Sequence, residues 1–325
     1  MKRLAAAAAL APAALVLAAC GGVDRDDRPL EELEQLAFVP AARLVLVGYE
    51  AYPWAKCSLD RPLVFDRYEF SESRLAHYRD ELVDEPIQWR SVNANATANS
   101  TPVLDRPAAL SLADARAVAA ARGMRLPKPH EWLHVALGGR SEGFPFPWGT
   151  RSAFSGGNTL ELSIGGPTPI GAFEGGRSRR YDCYDLVGNL WEWVDGHVPG
   201  YDDDWVAVEA GTRRYSVLGG AFDTRLTSIY GATSRGELVY LARTQDEGYR
   251  SPTVGARMCA DAEAYLREHA PRWRGARNAP ERVGAVGRRW GRGQGRFALE
   301  RLLELMIARG ESVDELGWLL AGVRR

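Results

Sequence analysis

Two short segments of this 325-residue chain carry residue types that could do chemistry. In Y-D-C-Y-D-L-V-G-N-L-W-E-W-V-D, residues 181–195, Asp185 and Glu192 flank a Gly188-Asn189 turn. Hard divalent cations take carboxylate and carbonyl oxygens gathered by such a turn, so the pair is a candidate cation clip. A structural alternative stands beside it: a tight turn, Trp191 and Trp193 on one strand face as core, and a solvated Glu192 on the other. The second segment, H-E-W-L-H at 130–134, matches the zinc pattern H-E-x-x-H, in which two histidines one helical turn apart bind the metal and the glutamate is a general base. The chain has five histidines, with no third ligand at the spacing that extends the motif, and Gly138-Gly139 cuts the helix one turn after His134. Trp132 is therefore expected in the core, His130 at an exposed helix start, and His134 packed or hydrogen-bonded at the edge.

Positioning these residues requires short elements joined by irregular backbone. L-V-L-V-G at 44–48 and L-V-F-D-R-Y-E-F at 63–70 read as strands. Helices are expected from a Ser71 or Ser73 cap, from Ser111 with Asp114 in its first turn to a stop at Gly123, and from Pro129 to Gly138. Residues 140–180 are rich in Gly, Pro and Ser and predict an ordered but irregular segment. Composition changes after Asp261: residues 271–296 hold eight arginines against the single Glu281 and read as a basic linker. Two helices follow, the second opened by a Ser312/Glu315 capping box. With 46% hydrophobic residues, 10 Trp, 12 Tyr and 9 Phe, the chain can bury one large core or two modest ones.

The N-terminus, M-K-R-L-A-A-A-A-A-L-A-P-A-A-L-V-L-A-A-C, places Lys2 and Arg3 before an apolar run that ends in small residues at Cys20. This is the pattern of a secretion signal, and L-A-A-C resembles a bacterial lipobox, with Cys20 as the lipidated residue. Acyl chains would then hold the protein to a membrane of the bacterial cell envelope, the outer membrane if the cell is Gram-negative. Cys57, Cys183 and Cys259 remain, enough for one bridge with three possible pairings. A net charge of −1 gives no global attraction to nucleic acid. The arginine run with Trp273 and Trp290 could meet phosphates, but an exported chain predicts a solvated linker, anionic headgroups or cell-wall polymer instead.

Six blocks, in order, resemble the sulfatase-modifying-factor family, that is, formylglycine-generating enzyme and its relatives. They are F-D-R-Y-E-F-S-E-S-R-L-A-H-Y, R-L-P-K-P-H-E-W-L-H-V-A-L-G-G, F-P-W-G, Y-D-L-V-G-N-L-W-E-W, L-G-G-A-F and V-G-A-R-M-C-A. The resemblance implies an α+β fold, the loop-rich formylglycine-generating-enzyme variant of the C-type lectin fold, here with a C-terminal helical extension. It also implies a structural calcium held by Asp185, backbone oxygens of Gly188 and Leu190, and Glu192; of a second family calcium site only Asn158 is recognisable. The family's oxidases bind copper(I) through two cysteines between the L-G-G-A-F and V-G-A-R blocks. Here Gly219–Gly255 holds no Cys, His or Met, with Thr224 and Ile229 near the two expected positions, so no copper is expected.

The organisation expected is a signal peptide and lipobox at 1–20, a tether at 21–40, the family domain at 41–262, a basic linker at 263–296 and a helical hairpin at 297–325. The expected function is a protein- or ligand-binding or assembly module at the envelope, with an unidentified envelope protein or small ligand as partner. Its recognition surface is expected near Phe222, Asp223, Thr224, Arg225 and Arg243. The alternative is an enzyme of the same family with a different oxidative or transfer chemistry, drawing on Tyr230, Tyr240 and Asp223.

Overall fold

The computed structural model describes residues 27–45, 56–87, 105–138, 146–149, 156–197, 213–225, 242–293 and 295–325. A three-stranded antiparallel sheet pairs β1 (Leu36–Val39) with β4 (Leu63–Asp66), and β4 with β9 (Cys259–Asp261). Both of its faces are covered. Leu36, Phe38, Val64 and Ala260 face one apolar cluster, while Ala37, Val39, Leu63, Phe65 and Cys259 face another. Such double burial explains continuous apolar runs where a one-sided sheet would alternate. A separate hairpin joins β2 (Ala42–Val45) to β3 (Lys56–Leu59).

The second sheet carries the opening segment. Its order is β7 (Ala242–Asp246), β6 (Arg214–Leu218), β5 (Trp191–Val194) and β8 (Val254–Gly255), with β5 and β8 parallel. Trp191 and Trp193 enter the first apolar cluster, and Val194 enters the second. The two tryptophans thus share a face as their alternation required. Three of the expected helices form: α2 (Glu72–Leu75) after Ser71, α3 (Leu112–Ala121) and α4 (Pro129–Leu137). Ser111 Oγ accepts from Asp114 N at 3.1 Å, and Gly123 and Gly138 end their helices at φ of 65° and 70°.

The segment expected as a tether is largely structured. Arg28–Glu34 forms α1, with Leu30 and Leu33 fully buried, and β1 follows directly. An ion-pair chain locks it in place: Arg122 reaches Glu32 at 2.7 Å and Asp66 at 2.8 Å. The physical reason lies in L-E-E-L-E-Q-L-A-F-V, where leucines three apart form one helical stripe under a run of charges.

The expected basic linker is likewise packed helix. It comprises α5 (Ala262–His269), a 3-10 turn (Ala270–Trp273) and α6 (Ala279–Gly291), followed by α7 (Arg296–Ala308) and α8 (Val313–Arg324). Ala279, Val283, Val286 and Trp290 make the buried stripe of α6, while its arginines take the other face. Trp273 is fully buried, and Trp290 Nε1 donates to Leu36 O at 2.9 Å. Glycines let α6 and α8 approach: a Cβ on Gly287 would stand 2.2 Å from Leu319 O, and one on Gly322 would stand 2.2 Å from Gly284 O. The expected Ser312/Glu315 capping box does not form. Ser312 makes no side-chain cap bond, and Glu315 is buried against Arg274 at 2.6 Å.

Candidate functional site

The Gly188-Asn189 turn is left-handed at both residues, with φ of 81° and 64°. A Cβ at position 188 would meet Asn158 O at 2.2 Å, so only glycine fits. The Asn189 side chain cross-braces the turn. Its Oδ1 accepts from Thr168 N at 2.8 Å and its Nδ2 donates to Glu69 Oε2 at 2.5 Å. Glu69 Oε1 in turn accepts from Leu190 N at 2.8 Å.

Glu192, expected either in solvent or on a cation, is fully buried in an ion pair with Arg257. Arg257 Nε donates to Oε2 at 2.6 Å, Nη2 donates to Oε1 at 2.5 Å, and Trp132 Nε1 donates to Oε2 at 2.5 Å. The other guanidinium bonds go to the carbonyls of Asp66, Arg67 and Tyr184. All five donors of Arg257 are therefore placed. Around this one cation stand three buried carboxylates, Glu69, Asp185 and Glu192. Burial, then Asp185 and Glu192, push the Glu69 carboxyl well above the usual range. Burial likewise raises Asp185, to about 6.

Asp185 Oδ2 accepts from Gly171 N at 2.6 Å, whereas Oδ1 is buried without a partner. That orphaned oxygen is the feature a hard cation would satisfy. Among the described residues no group of three or more His, Cys, Asp or Glu side chains converges as a metal site. A calcium ion here would therefore draw on Asp185, on the carbonyls of Gly188 and Leu190, and on the lone pair left on Glu192 Oε1. Asp185 would be the principal side-chain ligand, because Glu192 is already neutralised by Arg257. Asn158, expected from the resemblance as the recognisable residue of a second calcium site, is buried and donates to Gly166 O at 2.8 Å.

The five expected recognition residues divide. Phe222 and Thr224 are buried and hold the turn after β6: Phe222 N donates to Asn189 O at 3.0 Å, and Thr224 Oγ1 accepts from Ala221 N at 2.9 Å. Asp223, Arg225 and Arg243 are exposed, and the Arg243 guanidinium lies 4.7 Å from the Trp191 ring centre. Ile229, Tyr230 and Tyr240 lie outside the described residues, as does Cys20.

The H-E-x-x-H histidines do not act as a pair. His134 is fully buried with Nε2 2.7 Å from Tyr181 Oη, His130 is half-buried, and Glu131 is tied to Arg125 at 2.7 Å. Cys183 and Cys259 are both free and fully buried, so none of the three possible disulfide pairings forms. Glu69 and Arg257 were the residues that motif spacing missed. Arg257 left a signal, a single charge inside the otherwise apolar block V-G-A-R-M-C-A, whereas Glu69 is one of three charges in D-R-Y-E-F and left none of that kind.

Residues 24–262 match the family described as sulfatase-modifying factor enzyme 1-like domain, and the chain belongs to it. The α+β, loop-rich fold with its C-terminal helices is the one expected of that family. The chain is 38% identical over 101 residues to the inactive C-alpha-formylglycine-generating enzyme 2 of Bos taurus, covering 28% of this chain and 33% of that one. It is 30% identical over 161 residues to the formylglycine-generating enzyme of Thermomonospora curvata, covering 43% of this chain and 51% of that one. These matches span about a third to a half of the relatives' length. Among solved structures, CarF aligns with a TM-score of 0.47 at 17% identity over 70% of this chain and 97% of that one. PvdO from Pseudomonas aeruginosa aligns with a TM-score of 0.48 at 16% identity over 70% and 94%.

Proposed function

We propose that this chain is an envelope-anchored sulfatase-modifying-factor-like domain without copper oxidase chemistry, acting as a binding or assembly module. The observation that carries the reading is the state of the thiols. Copper(I) needs a pair of thiolates, and the interval Gly219–Gly255 supplies none. Burial pushes the Cys183 thiol up to about 12 and the Cys259 thiol well above its ordinary value. Both side chains sit in the apolar cluster around Trp132 and Val135, where a thiol is an inert packing group. That a relative is named an inactive formylglycine-generating enzyme supports the same reading.

Anchoring rests on the L-A-A-C sequence at Cys20, and among the described residues no helix is long and apolar enough to cross a membrane. Calcium is the structural ion we assign to Asp185, Gly188, Leu190 and Glu192, supported by the orphaned Asp185 oxygen. The partner, an envelope protein or small ligand, meets the exposed Asp223, Arg225 and Arg243, with Phe222 and Thr224 shaping the turn from beneath.

Copper-loaded chain mixed with a cysteine-containing sulfatase peptide is expected to yield no aldehyde; turnover with stoichiometric copper overturns the reading. In cells, a fatty-acid analogue should label the wild type and not Cys20→Ser. Labelling that persists in the variant rejects the anchor.

A further inference from the structure

Where the C-terminal extension meets the family domain, a cleft of ≈ 180 Å³ is lined by Arg177, Arg179, Arg180, Arg289 and Arg292. Asp182 is the one acid among the described lining residues, and it is already engaged by Arg177 and Arg67, each at 2.5 Å. The other four guanidinium groups hold no carboxylate among the described residues. Arg180 donates to Gly138 O at 2.5 Å, and Arg289 donates to Glu34 O at 3.0 Å and Leu36 O at 2.9 Å. On both, the Nε–H is buried without a partner. Arg179 and Arg292 are exposed at the rim.

A basic composition does not by itself explain this. Elsewhere in the extension Arg267, Arg274, Arg282 and Arg309 each hold a carboxylate within 2.9 Å. Arg277, Arg288 and Arg301 also hold no carboxylate among the described residues, but only at the cleft do four such arginines, two from each part of the chain, share one concave wall. Burial, then the charge of Arg67, lowers Arg289 to about 10, so crowding these groups costs stability until an anion joins them.

We propose that this cleft binds a phosphate group, held by the guanidinium groups of Arg180 and Arg289 in its wall and by the charges of Arg179 and Arg292 at its rim. Guanidinium forks match phosphate oxygens, and a phosphomonoester carries close to two charges where a carboxylate carries one. The cleft is smaller than the roughly 300–1,000 Å³ of a typical ligand pocket, which suits a phosphate group and not a whole nucleotide. Free phosphate and the phosphate of a lipid headgroup present the same chemistry.

The test uses the full chain and Arg179→Glu/Arg292→Glu, whose side chains make no bonds that the fold needs. Inorganic phosphate at fixed ionic strength should raise the wild-type melting temperature, acetate should not, and the double variant should need at least ten-fold more phosphate for the same shift. Phosphatidic acid vesicles are then compared with phosphatidylcholine vesicles for both proteins, so that any lipid anchor is common to the pair. A wild-type preference for phosphatidic acid that the variant loses assigns the phosphate to a headgroup; phosphate binding without that preference assigns it to soluble phosphate. Equal responses to phosphate and acetate with no vesicle preference overturn the proposal, as does a double variant that binds phosphate as tightly as the wild type.

Discussion

Arg257→Met is expected to lower stability by about 3–5 kcal/mol, the cost of leaving a buried ion pair half-broken. Arg257 neutralises Glu192 and braces the carbonyls of Asp66, Arg67 and Tyr184. Without it, Glu69, Asp185 and Glu192 remain buried together with no guanidinium beside them. Urea unfolding measures the loss, with Arg243→Met as control. Arg243 is exposed, where interactions are screened by water, so its removal should cost far less than that of the buried Arg257. Equal effects of the two substitutions would sink this account of the buried cluster.

The same cluster gives calcium a measurable signature. Ion binding stabilises by RT ln(1 + [L]/Kd), about 2.7 kcal/mol at 100-fold above Kd. Chelator should therefore lower the wild-type melting temperature. Asp185→Asn keeps an acceptor for Gly171 N, tolerates the φ of 55°, and removes a carboxyl that burial disfavours. That variant should melt at or above the wild type in chelator and below it in calcium, while Asp195→Ala, which loses only its surface pair with Arg116, should keep the wild-type calcium dependence. Curves that ignore calcium altogether would leave the segment a braced turn and nothing more.

Acid should destabilise the fold from about pH 6.5 downward, and His134 should be the main histidine responsible. Burial, reinforced by Arg180 and His130, lowers this imidazole from 6.5 to about 3. The folded state keeps it neutral while the unfolded state takes a proton, so the stability present above pH 6.5 is lost as pH falls towards 3. The slope for one proton is about 1.4 kcal/mol per pH unit, which sums to roughly 5 kcal/mol over the window. Asp66 acts later. Burial alone would raise it, but Arg122 and then Arg74 hold it at about 2, so its contribution is present above 3.8 and lost as pH falls through 2. Asp185, raised to about 6, opposes His134 between pH 6 and 4, so the measurement must be a difference. His134→Gln keeps a hydrogen-bonding amide for Tyr181 Oη in either direction and does not titrate. Urea midpoints of the variant should decline less steeply than the wild type between pH 6.5 and 4, and parallel curves would reject the assignment.

Local sequence determined the pieces whose physics is local. Ser111 with Asp114, Gly123 and Gly138 set helix ends through bonds and dihedrals within a few residues. The alternation of W-E-W put both tryptophans on one face, and the Gly188-Asn189 pair met a turn that demands positive φ twice. The six ordered blocks made the family legible. Composition misled in two places. The Leu30–Leu33 pair and the Ala279–Trp290 stripe lay among charges that read as a tether and a linker, yet each is a helix face that needs a distant surface to bury it. Only the tertiary structure decided the partner of Glu192, since Arg257 comes from 65 residues away and Trp132 from 60. It also decided which arginines stand unpaired, because Arg180 and Arg289 meet at one cleft only after the extension has docked on β1. Spacing along the chain fixes what a residue can do within its own turn or strand; the field around a buried charge is set by groups the chain brings back from elsewhere.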